Sequence, residues 1–171
     1  YTNMVPSVAP ALLSSCLNKA GIAAVGIDLS IDFSYHFYNK PYWNNLTLFL
    51  ASGAVDNSIN YFRPIIDSLK FIKKSLLEIK NKHNPTIIGL SIFTNESINF
   101  SYLLIPYIRK YLPDVKIMVG GRGLESTCRV EHIPHYQKYN AHGLADVIIV
   151  GDAETEIINA INSDATGIVF A

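Results

Sequence analysis

The chain has 171 residues, 49% hydrophobic and 16% charged, with 14 acids against 14 Lys plus Arg. That length suits one domain with a core of its own, and the neutral balance leaves no footprint for nucleic acid or an anionic membrane. Two cysteines, Cys16 and Cys128, are too few for a disulfide scaffold or for an iron–sulfur cluster on their own, and they fit a reducing compartment, the cytoplasm. The chain opens on Tyr1 rather than Met, without a signal segment. It reads as a piece that lacks its first residues. No apolar run reaches the roughly 20 residues that span a bilayer.

Residues 1–5 are too short to predict as a strand. Residues 6–19 (PSVAPALLSSCLNK) predict a helix, with Ser7 as cap, Pro10 in the first turn, and Ala9, Leu12, Leu13, Cys16 and Leu17 as its apolar stripe. Cys16 on that stripe reads as a buried, inert thiol. Ala20 and Gly21 end the helix, and residues 22–29 (IAAVGIDL) predict a buried strand. Residues 30–61 are the least regular stretch and carry Phe33, Tyr35, Phe37, Tyr38, Tyr42, Trp43 and Phe49. They read as an insertion folded over one end of the sheet, or as a contact surface for a ligand or a neighbouring domain. Residues 63–82 predict an amphipathic helix whose lysines form a solvated face, and His83-Asn84-Pro85 stops it.

The chain is organised around residues 86–121. Residues 86–92 (TIIGLSI) read as a strand buried on both faces. Thr94 or Asn95 caps a helix with Phe100, Leu103, Leu104, Tyr107 and Ile108 on one face. Pro113-Asp114 ends it, and residues 115–119 form a second strand that stops at Gly120-Gly121. This is one crossover of a parallel sheet. Residues 124–140 loosen again. His132 and His135 lie three apart, but Pro134 between them and the lack of further ligands argue against a metal site. Residues 145–150 (ADVIIV) predict a strand, 155–161 a helix and 166–170 a last strand. The alternation predicts an open, doubly wound, mainly parallel α/β sheet, Rossmann-like or flavodoxin-like, in a single domain over residues 1–171. In such sheets ligands bind beyond the carboxyl ends of the strands, here the hydroxyl loop 91–94 and the glycine loop 120–123.

Several chemistries fail at these positions. Gly121-Arg122-Gly123-Leu124-Glu125-Ser126 approaches a dinucleotide fingerprint but lacks its third glycine and follows a late strand. A Walker loop is absent, the middle strand ends in Ser91 rather than a phosphoacceptor Asp, and no Ser-His-Asp or Cys-His order sits at the strand ends. The domain reads as a binder with no chemistry of its own.

Four pieces in order carry a resemblance: PSVAPALLSSCLNKAG at 6–21 before a strand ending Ile27-Asp28, IGLSIFT at 88–94, LPDVKIMVGG at 112–121, and ADVIIVGDAE at 145–154. Together the chain resembles the cobalamin-binding domain found in front of many radical SAM enzymes. It departs from that family's Gly-Glu-Gly-Glu turn at Asp152 and Ala153, and the match fails at 30–63 and 124–140. The resemblance implies that cobalamin threads its nucleotide tail into the carboxyl-end crevice. Ser91, Phe93, Thr94, Gly120, Gly121, Arg122 and Gly151 are then its binding residues. It also implies a downstream radical SAM domain after Ala171 as partner, with the iron–sulfur cluster and S-adenosylmethionine confined to that domain. The reaction of the whole would be methyl transfer or a radical rearrangement. Neither the D-x-H-x-x-G motif of classical cobalamin modules nor a C-x-x-x-C-x-x-C cluster motif is present. A cofactor-free interaction or regulatory domain is the alternative.

Overall fold

A computed structural model describes residues 8–52, 62–128, 131–151 and 153–171. Among the described residues four strands, β1 (Ile87–Ser91), β2 (Lys116–Gly120), β3 (Val147–Val150) and β4 (Gly167–Phe170), form one sheet in the order β1-β2-β3-β4 with every pair parallel. The helices are α1 (Val8–Lys19), α2 (Leu29–Phe37), α3 (Trp43–Ser52), α4 (Phe62–His83), α5 (Asn95–Tyr111), α6 (His135–Ala141) and α7 (Ala153–Asn162).

Side chains alternate across the sheet as a strand's period of two requires. Ile117, Val119, Ile148 and Val150 enter the larger core with Ile72 and Leu76 of α4, Ile98 to Ile108 of α5, and Tyr139 of α6. Met118, Val147 and Ile149 meet Leu17 of α1 with Ile157 and Ala160 of α7 on the opposite face. Helices therefore cover both faces, and the doubly wound α/β fold expected from the sequence is present. Each aliphatic side chain buried this fully contributes on the order of 2 kcal/mol. With strands added in one direction, crossovers of one hand share a face. The β3–α7–β4 connection lies opposite α5 and α6, so its hand is opposite to theirs.

Local chemistry sets the boundaries. Thr94 caps α5: Ser97 N–H donates to Thr94 Oγ1 at 3.3 Å while Thr94 N–H donates to Ser97 Oγ at 2.9 Å, a capping box. At the amino end of the sheet Arg109 donates twice to the Asp146 carboxylate, at 2.9 and 2.8 Å, and the same carboxylate accepts Ile117 N–H at 2.7 Å. One bidentate contact thus fastens α5 to two neighbouring strands.

Two expectations are corrected. Residues 22–28 form neither helix nor strand and join no ladder, and Val25 is 63% exposed. A buried-strand pattern needs a strand on each side, and this run pairs with none of the described strands. Residues 30–52, the least regular stretch of the sequence and read as a loop or short helices, contain the short helices α2 and α3. Asp28 caps α2 by accepting from Ser30 N–H at 3.0 Å and Ile31 N–H at 3.3 Å. Phe33, Phe37, Leu46, Phe49 and Leu50 then form their own core against Ile65, Phe71, Phe100 and Leu103 of α4 and α5. These aromatics therefore cover a helical layer rather than the end of the sheet. Residues 1–7, with the expected Ser7 cap, and 53–61 of the expectations above lie outside the described residues, as does Asp152 of the turn at 151–154. Among the described residues no helix is long and apolar enough to cross a membrane.

Candidate functional site

The carboxyl ends of the strands share one edge, and a cavity of about 400 Å³ lies there, lined by Arg122, Glu125, Gly151 and Ala171. Its walls come from the turn after β2 and from the residues that follow β3 and β4. Gly121 has φ +113° and ψ 156°, a conformation reserved for glycine, and it turns the chain out of β2 into a 3₁₀ turn over Arg122–Glu125. The turn presents Arg122 and Glu125 to solvent beside the cavity. Gly151, with φ +106°, forms the opposite wall; a Cβ there would stand 3.1 Å from the carbonyl oxygen of Ala171. Ala171 N–H continues the β3–β4 ladder to Val150 O at 2.8 Å and so fixes that wall.

The loops singled out from sequence are brought together, but closely. Gly123 N–H donates to Ile92 O at 3.0 Å, and a Cβ on Gly121 would meet that same oxygen at 2.4 Å. The glycine loop is therefore packed onto the backbone of the hydroxyl loop, and the open volume lies on its other side, toward Gly151. Gly120 faces the start of α7, with Ile149 O at 3.5 Å and Ala153 Cβ at 4.0 Å from a built Cβ. The Thr94 hydroxyl is engaged in the α5 cap. Ser91 is exposed. Of the expected site residues, Arg122 and Gly151 line the cavity, whereas Ser91, Phe93, Thr94, Gly120 and Gly121 surround the adjacent loops.

Apolar surface and a cation are exposed at the carboxyl ends of the strands. Phe93 is 71% exposed after β1 and Phe170 is 66% exposed at the end of β4, where it meets Tyr136 edge-on at 5.9 Å. Arg122 makes no ion pair among the described residues, so a cation stands available at the mouth. Glu125 and Ala171 were not identifiable from sequence; an acid close behind Gly120-Gly121 was the one signal for Glu125.

Beneath the turn, a polar network between α5 and α6 holds the wall in place. Tyr102 OH and His135 Nδ1 are 3.0 Å apart, Tyr139 shares a short hydrogen bond with Ser101, and Lys138 bonds Glu131 at 2.9 Å and lies 3.6 Å from Cys128 Sγ. Burial lowers the His135 pKa below its ordinary value and pushes Tyr139 up to about 12. The hydrogen bond from Lys138 holds the exposed Glu131 carboxyl below its usual range. His135, committed to Tyr102 and kept neutral, is a packing histidine. Among the described residues no three of His, Cys, Asp and Glu gather as a metal site. The arrangement can bind and orient a ligand at the strand ends; it assembles no nucleophile–base pair. A second depression of about 270 Å³, on the outer side of α4 and α5 between Ile66 and Tyr111, is remote from the strand ends.

Compared with family models, with curated proteins and with solved structures, the chain gives no match.

Proposed function

We propose that this chain is a cobalamin-binding α/β domain, taking the cofactor's nucleotide tail at the carboxyl edge of its sheet and presenting the corrin to a radical SAM domain of the same, cytoplasmic protein. The observation that carries the binding reading is the cavity at Arg122, Glu125, Gly151 and Ala171, at the one edge of a parallel sheet where ligands collect. Its size lies within the range of small-molecule sites. The identity of the ligand rests on the four sequence pieces described above.

The residues present fit such a group in three respects. Gly151 leaves bare backbone in the cavity wall, where a flat base can approach. Arg122 offers a guanidinium for the phosphodiester of the tail. Phe93 and Phe170 offer exposed apolar surface for the corrin. The bound cofactor supplies a cobalt-held methyl group or a radical-generating centre; this chain's part is to bind, orient and keep that face open toward the partner domain.

Hydroxocobalamin mixed with the protein and passed through a desalting column tests this. Retained corrin absorbance is expected. Arg122→Ala should weaken retention by about 1 kcal/mol, as expected for one partly exposed charge-assisted contact. Gly151→Val should weaken it at least tenfold, about 1.4 kcal/mol. No retention by the full-length protein would remove the cofactor. A second reading, a cofactor-free interaction domain, is favoured by one observation: the Gly123–Ile92 bond and the Thr94–Ser97 box leave the two loops satisfied by each other and by α5. Absence of retention would select it.

A further inference from the structure

The long helix α4 turns Pro64, Ser68, Ile72 and Leu76 into the molecule. Ile66, Leu69, Lys70, Lys73 and Leu77 fall on a second stripe at helical spacing, and Ile66 and Leu77 are exposed there. Ile66, Leu69, Lys70 and Lys73 line the depression of about 270 Å³ together with Tyr107 and Tyr111 of α5. Its floor is apolar: two aliphatic side chains and two tyrosine rings whose centroids lie 5.7 Å apart. Its rim is cationic. The Nζ atoms of Lys73 and Lys110 stand 5.7 and 5.6 Å from the centre of the Tyr111 ring, and Lys80 Nζ lies 3.5 Å from Tyr111 O.

This charge is local. Six of the chain's 14 Lys and Arg lie on α4, against the carboxylates of Asp67 and Glu78 alone, in a polypeptide whose charges balance overall. Asp67 is already engaged, accepting from Tyr42 OH at 2.7 Å and from Lys70 at 3.1 Å. Among the described residues Lys73 and Lys110 make no ion pair. The depression is smaller than the roughly 300 Å³ at which small-molecule sites begin. It is a shallow trough along a helix, and the stripe from Ile66 to Leu77 extends for about 16 Å, three helical turns.

We infer that this trough docks an acidic amphipathic helix of a partner protein. Apolar side chains at i, i+4 and i+7 of that helix rest on Ile66, Leu69, Tyr107 and Tyr111, and its flanking Asp or Glu side chains meet Lys70, Lys73 and Lys110. Charge complementarity selects an acidic partner. The recessed floor selects a ridge of side chains over an anionic bilayer, which takes apolar groups that protrude. A second copy of the chain fits less well: α7 has two acids in its first turn, but its Ile157 and Ala160 are already buried against the sheet. The inference concerns the outer helical face and stands whether or not cobalamin binds at the strand ends.

Two synthetic helical peptides test it, both with leucine at i, i+4, i+7 and i+11, one flanked by glutamates and the other by lysines. Each is titrated into ¹⁵N-labelled full-length protein. The glutamate peptide is expected to shift Leu69, Lys73, Tyr107 and Tyr111 saturably, and the lysine peptide to leave them unmoved. Raising salt from about 0.05 to about 0.5 M should weaken binding about tenfold. The double variant Lys73→Glu with Lys110→Glu should bind the glutamate peptide at least tenfold more weakly and now accept the lysine peptide. An unchanged melting temperature shows that this variant is folded, and hydroxocobalamin retention reports the strand-end site separately. No shift at about 1 mM glutamate peptide, or equal binding of both peptides, would overturn the proposal. Pelleting of the protein with phosphatidylserine vesicles, lost in the double variant, would overturn it in favour of a membrane surface. Shifts at Tyr107 and Tyr111 that grow with protein concentration alone would overturn it in favour of a second copy.

Discussion

Residues 22–28 (IAAVGID) and residues 145–150 (ADVIIV) are both short runs of β-branched and small apolar residues, yet they end in opposite environments. Val147, Ile148 and Ile149 are at most 2% exposed, paired to strands on both sides and covered by helices on both faces. Val25 in the other run is 63% exposed and hydrogen-bonds to no strand. An apolar run encodes the capacity to be a central strand. Whether it becomes one is decided by which strands are present to flank it, information that lies elsewhere in the polypeptide.

The largest test of this contrast removes bulk from each run. Ile148→Ala should cost roughly 3–5 kcal/mol, because the site is closed by both layers and collapses poorly. Val25→Ala should change stability by less than about 0.5 kcal/mol in this chain. Urea denaturation of both variants gives the comparison, and a large loss at Val25 would mean that a flanking strand is in place.

Next come two glycines on neighbouring strands. Gly121→Val sets a branched Cβ against Ile92 O in a left-handed conformation and should cost about 3 kcal/mol. Gly89→Val meets open space and should be neutral within about 0.5 kcal/mol, or slightly stabilising through strand propensity. Thermal melts distinguish them. A mild Gly121→Val would show that the two loops separate easily.

The smallest effect is with pH. Burial lowers the His135 pKa, so the folded state disfavours its charged form. Its contribution is present above the ordinary histidine value and is lost as pH falls through that value toward the lowered one. Burial raises the Asp146 pKa, but the Arg109 and Ile117 N–H hydrogen bonds outweigh it and hold the carboxyl below its usual range. That contribution persists through neutral pH and fades only as pH drops below the carboxylate range. Stability should therefore decline in two stages on acidification. His135→Gln should flatten the upper stage and leave the lower one, as read from denaturant midpoints between pH 8 and pH 3.

Much of the frame was legible. The unit β1–α5–β2, its Thr94 cap and its stop at Gly120 follow from periodicity and capping, because both strands and their helix lie in one contiguous stretch. The long α4 stripe was equally plain. Residues 30–52 were not, since their aromatics face a second helical layer rather than the sheet, and Asn and Pro41 interrupt the pattern; the cap at Asp28 was the available signal. At the strand ends, two residues named from the sequence, Arg122 and Gly151, line the cavity. The sequence did not reveal that Gly121 and Gly123 are required by Ile92, because a glycine that accommodates backbone and one that accommodates a ligand are written identically.

We propose that a nucleotide-tailed corrinoid binds in the cavity beyond β2, β3 and β4. Titrating hydroxocobalamin into ¹⁵N-labelled full-length protein and following its amide resonances tests it most directly. The account predicts saturable shifts at Phe93, Arg122, Glu125, Gly151 and Ala171, with Lys70 and Tyr111 on the outer helical face unmoved. Unchanged spectra at millimolar cobalamin, or shifts confined to the outer face of α4 and α5, would contradict it.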